Sequence, residues 1–141
     1  HRLLSEKNIT YKIRPHPMSF KKKEISIDQL KFFNMSLDEN KNINFNNFNF
    51  LISDWSGIFI EYSLIHMKKS YLINTPKKDK KLNYKKFVNI PVEISMRSDF
   101  GDTFEINEIQ MLVEKISYLK NNNKVNFKDE KLLKLIKDKF Y

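Results

Sequence analysis

Cysteine is absent from the 141 residues, which excludes a disulfide framework, a thiolate metal site and a cysteine nucleophile. Glycine is nearly absent. Gly57 and Gly101 are the 2 in the chain, too few for a Walker loop or a dinucleotide fingerprint, so ATPase and nicotinamide-oxidoreductase readings lose their motif. Arginine is confined to Arg2, Arg14 and Arg97, although Lys+Arg reach 26. Nucleic-acid readers bring arginine forks and aromatic stacking platforms; neither is organised that way here, so no specific nucleic-acid partner is expected. No apolar run approaches the roughly 18 residues of a membrane span, and no signal peptide opens the chain. The expected location is the cytoplasm, with peripheral contact at the inner face of an anionic membrane.

What is present is the composition of a folded, basic protein. Hydrophobic residues make up 40% and aromatics 13%, well above a disordered polycation. A chain of this length buries roughly two thirds of its unfolded surface without a covalent staple. One domain spanning residues 1–141 is the expectation. Its opening, His1-Arg2-Leu3-Leu4-Ser5-Glu6-Lys7, reads like the last turns of a helix begun upstream, so the domain is expected to be a fragment lacking an N-terminal partner domain. Lys+Arg 26 against Asp+Glu 17 leaves +9. The excess is local: Lys68, Lys69, Lys77, Lys78, Lys80, Lys81, Lys85 and Lys86 face only Asp79. Such a field suits a solvated loop, an anionic lipid surface or a phosphate-rich substrate.

Along the chain, the alternating Tyr11-Lys12-Ile13-Arg14 reads as a strand stopped by Pro15 and Pro17. Ser26 caps an expected helix with Ile27, Leu30 and Phe33 on one face. Phe48-Asn49-Phe50-Leu51-Ile52-Ser53 reads as a buried strand, and Ser70 to Asn74 as the next one, closed by Thr75-Pro76. Between them Ile58, Glu61, Tyr62 and Ile65 recur at helical spacing, giving a helix with Ser56 as N-cap that ends near His66. Strand, helix and strand over so short a stretch make a βαβ unit with parallel strands. Val92 to Met96 reads as a further short strand and Arg97 to Asp102 as a turn-rich link. Glu105 to Lys120 places Ile106, Ile109, Leu112, Val113, Ile116 and Leu119 on one stripe of a helix; after Asn121 to Asn123, Lys128 to Phe140 reads as a last helix with Leu132, Leu135 and Ile136 inward. The alternation predicts an α/β, Rossmann-like layered domain with a parallel sheet, whose ligands collect at strand carboxyl ends and helix N-termini.

Two motifs fall at such places. In Arg14-Pro15-His16-Pro17 two prolines hold the backbone around a histidine directly after a strand, as an imidazole that transfers a proton or donates to phosphate requires. Arg14 could offer a planar fork to the same anion; the ordinary alternative is a satisfied histidine in a proline turn. Ser53-Asp54-Trp55-Ser56-Gly57 opens the helix at Ile58, where first-turn amides lack intrahelical partners and the helix dipole favours an anion. Ser53 and Ser56 add hydroxyl donors and Gly57 allows close approach; the alternative is an ordinary serine cap. Trp55 could stack on a nucleobase or fill the space under the loop, with packing the preferred role. Glu61 is a candidate donor contact or simply an exposed carboxylate. His66, at a helix C-terminus where the dipole stabilises a cation, needs no catalytic explanation.

Taken together, Arg14-Pro15-His16-Pro17, the segment from Phe50 through Ser53-Asp54-Trp55-Ser56-Gly57 to His66 with its Glu61-Tyr62 pair, and Lys69-Ser70-Tyr71-Leu72-Ile73 resemble the CDP-glycerol glycerophosphotransferase family of teichoic-acid-type polymerases and primases. The likeness covers roughly residues 8 to 75. Trp55 stands where that family has Tyr, Gly57 where it has a second Ser, and Ser70 where Pro is common. The resemblance implies a GT-B fold, of which this chain is the C-terminal, donor-binding half. It implies that His16 contacts the donor diphosphate or assists transfer, that Ser53, Asp54, Ser56 and Gly57 form the phosphate-binding helix start, and that Arg97, with Gly101 and Asp102, belongs to a donor-contacting loop. It implies no metal or other cofactor, a nucleotide-diphosphate donor such as CDP-glycerol as substrate, and a lipid-linked or saccharide acceptor. The expected activity is transfer of glycerol phosphate in cell-surface polymer synthesis. Two other readings stand beside it: a GT-B glycosyltransferase using a nucleotide sugar for capsule or surface polysaccharide, and a non-catalytic basic α/β binding module.

Overall fold

The computed structural model describes residues 1–16, 21, 26–32, 44–76, 90–124 and 128–140. The chain folds as two compact units, His1–Ile43 and Asn44–Tyr141. In the first, α1 spans Arg2–Glu6 and α2 spans Ile27–Phe32. Helix α1 ends in a Schellman motif: Asn8 takes φ 52, its N–H reaches the Ser5 carbonyl at 2.9 Å, and the Ile9 N–H reaches Leu4 at 2.9 Å. Helix α2 starts with a reciprocal capping box, since Ser26 Oγ accepts from the Gln29 N–H at 3.1 Å and Gln29 Oε1 accepts from the Ser26 N–H at 2.9 Å. Leu30 is buried but Ile27 is exposed, so the expected apolar face is narrower than the spacing suggests; Phe33 lies outside the described residues. The strand expected over Tyr11 to Arg14 reduces to one β-bridge residue, Ile13.

The second unit is α/β, with a small open sheet of three parallel strands. Strand β1 is Ile52–Ser53, β2 is Ser70–Asn74 and β3 is Gly101–Glu105, in spatial order β1-β2-β3. Helix α3, Ile58–His66, joins β1 to β2 and completes the expected βαβ unit. Short helices α4, Val92–Ser95, and α5, Arg97–Phe100, precede β3; α6, Ile109–Asn121, and α7, Glu130–Phe140, follow it.

Helices cover both sheet faces. On one, Leu72 packs with Phe59 of α3, Phe100 of α5 and Leu132 and Ile136 of α7. On the other, α6 lays Lys115 over the rings of Tyr71 and Phe104 and bonds it to Asp102 at 2.9 Å. The predicted stripe of α6 is confirmed at Leu112, Val113 and Ile116, all buried, while Ile106 is exposed in a 3-10 turn ahead of the helix. Two serines with no exposure lock α3 in place: Ser63 Oγ donates to the Phe100 carbonyl at the end of α5 at 3.0 Å, and Ser70 Oγ of β2 donates to the Phe59 carbonyl at 3.3 Å.

Three expectations fail locally. The strand from Phe48 pairs only over Ile52 and Ser53. The β-branched Val92 and Ile94 suggest a strand, but the Pro91 carbonyl accepts the Ile94 and Ser95 N–H groups at 2.9 and 3.0 Å and starts a helix. The link expected at Arg97 to Asp102 is helix α5 running straight into β3, paired with β2 from Ser70↔Gly101 to Asn74↔Glu105.

With so little glycine, the left-handed turn positions among the described residues fall to Asn8, to Asn123 and to Met67, which ends α3 at φ 54. Asn123 ends α6 at φ 54, with its N–H on Lys120 and the Lys124 N–H on Leu119 at 2.9 Å, the same motif as at Asn8. Both glycines sit at negative φ. Gly101 is there for space: a Cβ would lie 2.5 Å from Leu72 Cγ and closer still to Cδ1.

Candidate functional site

Strands β1, β2 and β3 run parallel, so their carboxyl ends share one edge, where an open α/β sheet gathers its ligands. Ser53, Asp54, Ser56, Gly57 and Arg97 come together there. Asp54 Oδ1 accepts the Ser56 N–H at 3.3 Å, an Asx turn that folds the loop between β1 and α3. The cap of α3 is therefore Gly57, at φ −68 and ψ −6, rather than the expected Ser56, and no side chain caps the helix. The Gly57 carbonyl accepts from Ile60 at 3.0 Å; Phe59 has no exposure, which leaves the amide of the half-buried Ile58 as the accessible first-turn donor without a partner among the described residues. A Cβ on Gly57 would meet only Glu93 Cβ, at 3.9 Å, so the protein's own packing does not demand glycine.

Arg97 is 6% exposed. One terminal nitrogen donates to the Asp54 carbonyl; the other donates to the Ile73 carbonyl and to Asn74 Oδ1, each at 3.1 Å. The guanidinium also stacks on Trp55, 4.2 Å from the ring centroid, while Trp55 Nε1 donates to the Thr75 carbonyl at 2.8 Å. Burial lowers the Arg97 pKa from its ordinary value, opposed by Asp54 and Glu105, and an arginine remains protonated all the same. Arg97, expected as a donor contact, thus ties the carboxyl end of β1 to that of β2, and Trp55 takes the packing role.

The network fixes a carboxamide that sequence reasoning overlooked. Arginine can only donate, so Asn74 must turn Oδ1 toward it, and Asn74 Nδ2 then donates to Glu105 Oε1 at 2.6 Å. The Glu105 carboxylate also accepts the Glu108 backbone N–H, and Glu108 Oε2 returns a bond to the Glu105 N–H at 2.8 Å. Beside this pair, Asn74, Thr75, Pro76, Glu105, Ile106 and Asn107 line an open cleft of about 600 Å³. Asn74 and Thr75, read as the end and close of a strand, were a usable signal; Glu105 carried none while it was read as the first residue of a helix rather than the last of β3.

Arg14 and His16 belong to the first unit and are both exposed; Pro17 lies outside the described residues. Glu61 is exposed on α3, whereas its neighbour Tyr62 is buried and donates to the Asn49 carbonyl at 2.7 Å. Burial pushes the Tyr62 hydroxyl pKa well above its ordinary value. His66 departs from expectation. Burial lowers its pKa, Lys68 lowers it further, and a hydrogen bond with the Phe45 backbone opposes them, so the environment disfavours the cation that the helix dipole was expected to stabilise. Its ring lies 4.7 Å from that of Tyr62.

Of the lysine-rich stretch, Lys68 and Lys69 are described, Lys69 paired with Asp102 at 3.5 Å; Lys77 to Lys86 lie outside the described residues. Among the described residues no group of three or more His, Cys, Asp or Glu side chains could hold a metal ion, and no helix is long and apolar enough to cross a membrane. Comparisons with protein-family models, with characterised proteins and with solved structures find no match to this chain.

Proposed function

We propose that the chain is the donor-binding, Rossmann-like half of a GT-B transferase of the CDP-glycerol glycerophosphotransferase type, working at the cytoplasmic face of the membrane. The observation that carries the reading is the uncapped start of α3, held at the carboxyl end of β1 by the Asp54 turn and by Arg97. The motif resemblance supplies the chemistry. On this reading the Ile58 amide receives the donor diphosphate, Ser53 and Ser56 add hydroxyl donors, and Gly57 keeps the approach clear. Asp54, an anion, serves by shaping the loop. The resemblance, not the placement of the two units, is what assigns His16 and Arg14 to the proton and charge of transfer, and Glu61 is a peripheral contact. The acceptor hydroxyl attacks the glycerol-bearing phosphorus in line. Its oxygen bonds to phosphorus, the bond to the CMP oxygen breaks, and the hydroxyl proton leaves to a base. Positioning and electrostatic stabilisation of the leaving phosphate account for most of the rate.

Calorimetric titration with CMP, CDP, CDP-glycerol, UDP and a UDP-sugar tests this. Cytidine nucleotides should bind, and Ser56→Ala should weaken them about tenfold, the value of one hydrogen bond to a charged group. A uridine preference would move the assignment to a nucleotide-sugar glycosyltransferase. Absence of nucleotide binding, or binding indifferent to both Ser56→Ala and His16→Ala, would overturn it.

A further inference from the structure

We propose that the cleft at the carboxyl ends of β2 and β3 binds a vicinal diol, with the Glu105 carboxylate accepting its two hydroxyls. The proposal deepens the transferase reading and rests on it for the identity of the whole ligand. The lining itself decides the chemistry. Asn74, Thr75, Glu105 and Asn107 offer one carboxylate, two carboxamides and a hydroxyl, with Pro76 and Ile106 as apolar wall. That set rejects phosphate. Among the described residues no lining side chain is a cation; the guanidinium behind them, on Arg97, is 6% exposed and spends both terminal nitrogens on protein acceptors. A metal ion is no better served, since Glu105 is the one carboxylate among the described lining residues.

A neutral, hydroxyl-bearing group fits. Glu105 is already oriented by two bonds, from Asn74 Nδ2 and from the Glu108 N–H. A carboxylate has roughly four lone-pair sites, so about two remain for hydroxyl donors, and a preorganised acceptor loses little entropy in using them. The carboxamide of Asn107 and the hydroxyl of Thr75 can donate to or accept from the same diol oxygens, while Ile106 and Pro76 meet the C–H faces between them. Within the transferase reading a diol has two sources, the ribose of the nucleotide and the polyol it carries. Both present adjacent hydroxyls, and the phosphates between them would lie toward α3.

The test follows the side-chain amide signals of Asn74 and Asn107 by 15N NMR in the full chain, together with the Ser56 and Gly57 backbone amides. The probes are CMP against 2′-deoxy-CMP, and glycerol 3-phosphate against 3-hydroxypropyl phosphate, which lacks the vicinal pair. The diol-bearing member of at least one pair should shift Asn107 and bind about tenfold more tightly than its partner. Whichever pair discriminates names the source. Glu105→Gln should abolish that discrimination, and Asn107→Ala, at an exposed position, should weaken the diol probe without moving the melting temperature. Shifts at Ser56 and Gly57 with none at Asn107 would overturn the diol site and leave the transferase reading standing. Diol-dependent shifts at Asn107 with no cytidine preference would sustain the site and overturn that reading. Equal binding of both members in both pairs, or no shift at Asn107 with any probe, would overturn the proposal.

Discussion

The 2 glycines should respond in opposite ways to the same substitution. At Gly101 an alanine Cβ would lie 2.5 Å from Leu72 Cγ, inside any real carbon contact, and Leu72 is fully buried among Phe59, Phe100, Leu132 and Ile136. Either Leu72 leaves its rotamer or β3 slides from β2, and overpacking of this kind costs about 1–3 kcal/mol. For a unit of this size that lowers the melting temperature by roughly 5–20 °C. At Gly57 the nearest atom is Glu93 Cβ at 3.9 Å and φ is −68, so Gly57→Ala should change stability by no more than about 0.5 kcal/mol. Thermal unfolding followed by circular dichroism separates the two, and Leu72→Ala combined with Gly101→Ala should recover about 1 kcal/mol relative to additivity by removing the colliding Cγ and Cδ1. A Gly101→Ala protein as stable as the parent would refute the packing argument. Because Gly57→Ala spares the fold, any loss of nucleotide affinity it causes reports on ligand approach alone.

Two other consequences concern buried charge. The His66 pKa is lowered on folding, so the unfolded chain binds the proton more readily; stability is unaffected well above the ordinary value of 6.5, falls as pH drops below it, and levels once the folded form also protonates. His66→Phe should flatten that acid limb in urea titrations between about pH 7 and 5, and an unchanged slope would show that His66 is not its source. Arg97→Lys should destabilise by about 2–4 kcal/mol, nearly as much as Arg97→Met, because a single ammonium cannot span carbonyls on two strand ends and stack on Trp55; a lysine variant matching the parent in urea unfolding would refute this.

How legible each element was depended on how much of its stability is local. Helices α6 and α7 carry a full 3.6-residue stripe, and the run Asn121 to Asn123 supplies a left-handed C-terminal residue, so both were readable and the break fell where Asn123 now sits. Strand β2, with Tyr71, Leu72 and Ile73, was equally clear. Strand β3 was not: Gly101-Asp102-Thr103-Phe104-Glu105 has one large apolar residue, and its extended form comes from register with β2 and from the Gly101 contact with Leu72. The loop before α3 was placed correctly by the periodicity behind it, yet its cap was misassigned, because Asp54 takes the Ser56 amide and turns the chain one residue later. Arg97 gave no local sign of its partners, which lie on loops and strand ends more than twenty positions away.

That remoteness explains why an arginine is buried here at all. Strand β1 pairs with β2 over only Ile52 and Ser53, too short a ladder to hold the loop that follows it. A leucine in place of Arg97 would fill the volume without desolvating a charge, but it could not bond the Asp54 carbonyl on one strand end and the Ile73 carbonyl on the next. The guanidinium replaces the missing ladder bonds, and Trp55, anchored through Thr75, covers its face. The same donor-only group dictates that Asn74 faces Arg97 with its oxygen and Glu105 with its nitrogen. A residue with little access to solvent therefore determines both where the α3 start is held and how the polar groups of the neighbouring cleft are presented.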